Sequence, residues 1–437
     1  MKDNKLYIFF KIYFQEALNV LDNASQKGMN IPDLLDEEPQ FDIKNEGGHK
    51  NISYRFIQVF EKDHGRFISR NWNLLKELKS YKECLKYLGN NNFMRNSIEE
   101  QGFLLNTIVK YVKEAKQFKF SQMDFDENYK QIEEYIFSDV IKHTYSARLS
   151  SFESDSDEIV IDEFAKIKKF TVEECKERWK RSFFSRSIIN IINPLDYRIE
   201  IIFYKKKEEL RSNAGESQED LKRILLLLRL FKSSDLKIGA VETKPIQWVP
   251  FGGITFTGNE ESFGGKYTLN VSELPLLIEL WKVIKNINFK NCPSLEIAIH
   301  RFSFVHERNN LEDKLIDTMV GFESLYLTDD KELRYKSALR TAILIGESPD
   351  EREKIFKIMQ VAYDMRSTII HGGKIVGKVK VGNPVSQEFI TGQFIKILKD
   401  YLSTSIIKFS KLSTRNKSEE ILNKIHSISL RSNFILS

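Results

Sequence analysis

From Val271 to Leu412 one pattern recurs along the chain. Apolar residues return at three- and four-residue spacing, a short polar break follows, and the pattern starts again. The periodic segments cover 272–287, 294–307, 311–327, 332–345, 349–371 and 386–412. Each presents an apolar stripe that must be buried, and connections this short favour antiparallel neighbours. Residues 271–437 are therefore expected to form an all-α helical bundle.

The chain before Val271 reads differently. Helical periods are expected over 68–88, 98–118 and 129–149, with a strand at 52–60 beyond a loop at Gly47-Gly48. The apolar run from Leu6 to Leu18 is interrupted by Lys11 and Glu16, is too short to span a bilayer, and lacks a small-residue cleavage site. It reads as a buried amphipathic helix or strand. Strands are expected at 159–170 and at 197–204, the latter carrying the β-branched set Ile199, Ile201 and Ile202. A helix at 219–231 follows, then a strand-and-loop stretch at 236–257 punctuated by Pro245, Pro250 and Gly252-Gly253. The expected class is α+β, a C-terminal bundle preceded by a mixed α/β region. Three parts are expected: a mainly helical 1–150, a small α+β unit at 151–270, and the bundle at 271–437.

Composition narrows the chemistry without choosing it. The 67 basic and 62 acidic residues of the 437 leave a net charge of +5, which permits a polyanionic partner without requiring one. Cys84, Cys175 and Cys292 are few, odd in number and far apart, which points to a reducing compartment, the cytoplasm, rather than to a disulfide framework. The seven histidines form no HxxxH or HExxH array, so no metal or other cofactor is expected, and no membrane partner either.

The clearest chemical signal lies at the end of the 349–371 segment. Ser348 is placed to cap it, Pro349 fits the first helical position, and Glu351 completes a capping-box pattern. Ile355, Ile358, Met359, Ala362, Met365 and Ile369 give one apolar face, and Gly372-Gly373 marks the stop. On the last turns stand Arg366 and, five residues later, His371. A permanent cation and a titratable imidazole can hold a phosphate and move a proton. Five residues rotate a helix by ~140°, so the two share a face only if the last turn unwinds, or else a second copy of the chain completes the site. Lys374, Lys378 and Lys380 follow as cations suited to RNA phosphates. A second pair at the same spacing, Arg301 and His306, sits within a helix without a terminating glycine and reads as structural.

The order of elements around this motif resembles the ApeA-like HEPN family over residues 220–410. The resemblance is carried by Ile297-Ala298-Ile299-His300-Arg301-Phe302, by Arg308 to Asp317, by Gly321-Phe322-Glu323-Ser324-Leu325-Tyr326, and by Ala338 to Gly346. It continues through Tyr363-Asp364-Met365-Arg366-Ser367 and Ile370-His371-Gly372-Gly373, with the leucine-rich Leu226 to Phe231 upstream. Such proteins look like metal-independent endoribonucleases that serve as toxins or antiphage effectors. The resemblance implies that Arg366 steadies the scissile phosphate and His371 acts as general acid/base. The RNA 2′-OH would be the nucleophile, leaving a 2′,3′-cyclic phosphate. Ser367 fills the polar position after the arginine. Glu323 and Asp313, on accompanying helices, would orient Arg366, while Asp364 is a neighbouring carboxylate able to satisfy Arg366 or His371. The implied partners are RNA, tRNA among the candidates, a second copy of the chain in a homodimer, and a phage-derived trigger; the N-terminal half is expected to sense that trigger, to regulate the nuclease or to grip tRNA. The alternative is a non-catalytic HEPN binding or sensing module in a defence or toxin–antitoxin system.

Overall fold

The computed structural model describes residues 2–46, 49–91, 97–181, 194–206, 215–234, 236–249, 255–257, 266–287, 289–329, 331–382, 387–413 and 416–428. The chain begins with α1 (Asn4–Gln26), the strands β1 (Asp33–Glu46) and β2 (His49–Lys62), and then α2 (His64–Arg70), α3 (Trp72–Lys76), α4 (Lys79–Asn90), α5 (Ser97–Ala115) and α6 (Gln122–Phe137). A strand-rich stretch follows: β3 (Val140–Leu149), β4 (Phe152–Ser154), β5 (Glu158–Val160), β6 (Ala165–Lys169), α7 (Val172–Arg181), β7 (Tyr197–Lys206), α8 (Gly215–Phe231), β8 (Ile238–Pro245), β9 (Thr255–Thr257) and β10 (Tyr267–Leu269). The remainder comprises α9 (Leu274–Lys285), α10 (Pro293–Glu307), α11 (Leu311–Tyr326), α12 (Leu333–Ile345), α13 (Pro349–Ile370), β11 (Lys378–Val381), β12 (Gln387–Ile390), α14 (Thr391–Ser413) and α15 (Ser418–His426). The molecule is mixed α and β with a helical C-terminal region.

These elements divide into two compact units. One contains residues 1–147, 169–214 and 240–260, the other 148–168, 215–239 and 261–437. The segment 151–270 is thus shared between both.

In the first unit the apolar run at 6–18 is part of a helix. Asp3 caps α1 by accepting from the backbone N–H groups of Lys5 and Leu6 at 2.9 and 3.0 Å. Leu6, Phe10, Tyr13, Phe14, Ala17 and Leu21 recur at helical spacing and are all buried. Phe14 meets Tyr111 and Phe125 edge-on, with ring centroids 5.6 and 5.2 Å away. Each such ring contributes about 1.5–3 kcal/mol by leaving water. Strands β7, β3, β8 and β9 neighbour one another in that order in a sheet.

Several expectations here need correction. The segment 129–149 is not one helix: α6 stops at Phe137, and β3 follows. Residues His143 to Ala147 are buried without a break, on both faces of the strand, as befits a strand with neighbours on either side in its sheet. The segment 68–88 is broken at Asn71, whose side chain donates to Phe67 O at 2.9 Å and ends α2. The strand at 52–60 is one arm of a long β1–β2 antiparallel ribbon that pairs Asp33 with Lys62. Its acidic arm, interrupted by Pro39, carries little strand propensity and escapes a sequence reading. The expected loop at Gly47-Gly48 and the Pro250 and Gly252-Gly253 turn lie outside the described residues.

In the second unit the expected strand at 159–170 is the hairpin β5–β6. It turns where Asp162 accepts from the backbone N–H groups of Phe164 and Ala165, both at 2.9 Å. The periodic segments from Val271 onward become α9 to α14. α10 pairs with α11, α12 with α13, and α14 packs against α8, α9, α10, α11 and α12. Gly321 permits a close approach of α11 to α14: a Cβ there would stand 2.8 Å from a methyl carbon of Leu402. The segment 386–412 was expected to be wholly helical, but its first residues form β12, which pairs with β11 before α14 begins. Val379 and Val381 of β11 are buried while Lys378 and Lys380 point outward, the alternation of a half-buried strand.

Candidate functional site

The long helix α13 is fixed at both ends by local chemistry. At its start the Ser348 hydroxyl accepts from Glu351 N–H at 3.2 Å, and Pro349 fills a position that needs no donor. The Glu351 carboxylate takes the N–H of Glu347 at 2.8 Å, one residue before the expected capping-box donor. At the other end, His371 N–H donates to Ser367 O at 3.1 Å, so the helix stays wound through its last turn. Gly372 N–H then donates to Ile369 O at 3.0 Å and Gly373 N–H to Thr368 O at 2.9 Å, the paired bonds of a Schellman motif. Gly372 adopts φ +84°, a conformation that favours glycine. A Cβ on Gly373 would lie 2.9 Å from Thr368 O and 2.5 Å from its methyl carbon.

This ending decides between the two geometries open to the motif. Unwinding does not occur, so Arg366 and His371 project about 140° apart around one helix and about 7.5 Å apart along it. His371 is exposed at the C-cap. Arg366 is half-buried and turned toward α11, where one of its terminal amines donates to Glu323 Oε2 at 3.2 Å. The two side chains are 24% and 19% exposed. Among the described residues neither Arg366 Nε nor Glu323 Oε1 has a hydrogen-bond partner, although both atoms are buried. The pair thus makes one bond where a guanidinium and a carboxylate can make two. Burial pushes the Glu323 carboxyl above its ordinary range, against the opposing pull of Arg366.

The other expected residues are distributed around this centre. Asp364 does not hold Arg366 or His371; it forms a two-point ion pair with Arg334 of α12, both contacts at 2.7 Å. Only a three-dimensional pairing across 30 residues reveals Arg334 as its partner. Ser367 is half-buried and contributes its carbonyl to the end of the helix. Asp313 is exposed in the first turn of α11, about 15 Å along that helix from Glu323, and acts on Arg308 instead. Lys374 and Lys380 are exposed, and Lys378 pairs with Glu388 across the β11–β12 hairpin at 3.3 Å. Glu312, passed over in the sequence, takes the N–H of Ile375 at 3.2 Å and ties the segment after His371 to the start of α11.

No family model matches this chain, and neither characterised proteins nor solved structures gave a match. The site is therefore read from its own side chains. In the second Arg–His pair, His306 is buried edge-on to Phe302 with centroids 4.8 Å apart, and Arg301 pairs with Asp317 at 2.9 Å. An open cleft of about 560 Å³ lies toward the opposite end of α13, beside Asp350, Lys354, Lys357, Val381 and Gln387. It touches neither Arg366 nor His371, and Lys357 there is held by Glu353 at 2.8 Å. Among the described residues no cluster of three or more His, Cys, Asp or Glu is placed to hold a metal ion, and no helix is long and apolar enough to cross a membrane.

Proposed function

We propose that this chain is an HEPN-type endoribonuclease that works without a metal, as a homodimer, in antiphage abortive infection, with tRNA or another RNA as substrate. The observation that carries the reading is the wound exit of α13, which leaves His371 exposed while Arg366 is held nearby through a single hydrogen bond. A guanidinium that holds its carboxylate through a single bond keeps further donors for a phosphate oxygen. In the reaction the RNA 2′-OH attacks phosphorus and the bond to the 5′-oxygen breaks. One group takes the 2′ proton and another supplies a proton to the leaving oxygen. Each chain offers one His371, and in-line displacement needs base and acid on opposite sides of phosphorus. Two copies related by a two-fold axis supply both imidazoles, with Arg366 stabilising the charge on the phosphate. Lys374 and Lys380, exposed beyond the helix, are suited to the flanking phosphates.

A second reading follows from the same ion pair. If Arg366 serves only to bridge α13 to α11 through Glu323, the unit is a non-catalytic HEPN binding or sensing module. The two readings part in one experiment: incubation of total RNA in EDTA, with and without lysate of phage-infected cells. The enzyme reading expects cleaved RNA from the parent protein and intact RNA from His371→Ala. Intact RNA with the parent protein under both conditions rejects it.

A further inference from the structure

One stripe of the second unit remains unexplained by its core or by the motif. Ile297, His300, Arg301, Phe304 and Arg308 recur along α10 at three- and four-residue spacing and continue just past its end, so they share one face. Ile297, His300 and Phe304 are exposed. The guanidinium carbons of Arg301 and Arg308 stand 6.0 and 5.8 Å from the centroid of the Phe304 ring. Both arginines also hold one carboxylate: Arg301 donates to Asp317 Oδ1 at 2.9 Å, and Arg308 Nε to Oδ2 at 3.0 Å. The Asp317 side chain is 3% exposed, whereas those of Arg301 and Arg308 are 39% and 47% exposed.

We propose that this stripe is a docking site for single-stranded RNA, with a base stacked on Phe304 and phosphates engaged by Arg301 and Arg308. The inference rests on the ribonuclease reading for the identity of its polyanion. A buried carboxylate that fixes two arginines spends only part of each guanidinium, and the remaining N–H groups are held in place rather than left to sweep solvent. Phe304 is 39% exposed, so part of its ring stays open between the two guanidiniums, and a base can stack on that part. The surroundings are balanced in charge, since Asp313 and Glu307 also act on Arg308 and Glu307 pairs with Arg229 at 3.8 Å. The stripe therefore provides directed contacts rather than a broad positive field. Its salt signature is small: each arginine contributes about 0.7 to the slope of log affinity against log salt on a single strand.

The test uses full-length His371→Ala protein, which keeps the stripe and leaves RNA uncut, with fluorescence anisotropy on a single-stranded oligonucleotide and on its duplex. Phe304→Ala is expected to weaken single-strand binding about tenfold, with Phe304→Trp restoring it. Arg308→Gln is expected to lower the salt slope by about 0.7, and duplex binding is expected to change little. Single-strand affinity unchanged in Phe304→Ala overturns the stripe while leaving the ribonuclease reading intact. Loss of self-association in Phe304→Ala without loss of RNA affinity also overturns it and assigns the face to a protein contact. A parent protein that binds neither RNA rejects the stripe and the reading beneath it together.

Discussion

At the scale of single residues, the Arg366–Glu323 pair is the informative contact. Its geometry says ion pair, yet the balance of burial against charge favours a protonated Glu323 more than solvent does. The folded state therefore binds this proton more tightly than the unfolded chain. Stability that is present below the ordinary carboxylate range is lost as pH rises through the raised value. Glu323→Gln removes that loss. Denaturant titrations between pH 4 and 8 should show the variant gaining on the parent as pH rises, with no gain at the acid end. Arg366→Ala should do the opposite and cost about 1–3 kcal/mol at neutral pH, because it strands a half-buried carboxylate. His371 is exposed, and His371→Ala should stay within about 0.5 kcal/mol of the parent. That difference makes His371 the cleaner probe of chemistry. Arg366 and His371 drew notice in the chain because a helix end with glycines leaves local marks, whereas Glu323 entered only through the family resemblance. Sequence reasoning paired Asp364 wrongly: a carboxylate's partner is chosen by packing between α12 and α13, and nothing near Asp364 in the chain points to Arg334.

Among the elements, α13 was readable to within a residue because its punctuation is chemical. A hydroxyl cap, a proline at the start and two glycines at the exit each answer a specific backbone need. Gly372→Ala forces a Cβ onto a residue at φ +84° and should cost about 1 kcal/mol, seen as a fall of about 2–4 °C in Tm. Gly373→Ala should cost more, since its Cβ meets Thr368 backbone as well as side chain. Both variants also loosen the segment that carries His371, so activity should fall further than stability alone explains. The β elements were harder to read. β3 follows closely on α6 and is buried without a break from His143 to Ala147, so its pairing with β7 and β8, not a periodicity in the chain, marks it as a strand. β1 is strongly acidic and contains Pro39, and its extended shape comes from pairing with β2 rather than from propensity.

For the whole molecule, the sparse cysteines give a direct check on how completely each of the two units closes. Cys84, Cys175 and Cys292 are all free and buried. Burial raises the Cys84 thiol well above its ordinary value and pushes Cys175 up to about 12, so little thiolate exists on either at neutral pH. Native protein at pH 8 should therefore react with a thiol reagent at well under one equivalent, and denatured protein at all three. Rapid native labelling would show that at least one unit opens far more readily than its packing implies. The balance of 67 basic against 62 acidic residues supplies no strong field to gather RNA. On the proposed ribonuclease reading, recognition then comes from placed groups such as the helix exit and the α10 stripe. The most direct test of that account is the rate of RNA cleavage in EDTA, measured for the parent and for His371→Ala at matched Tm and matched sedimentation. The account predicts 2′,3′-cyclic phosphate ends from the parent and a rate at least about 100-fold lower in the variant. Equal rates in the two proteins would contradict it.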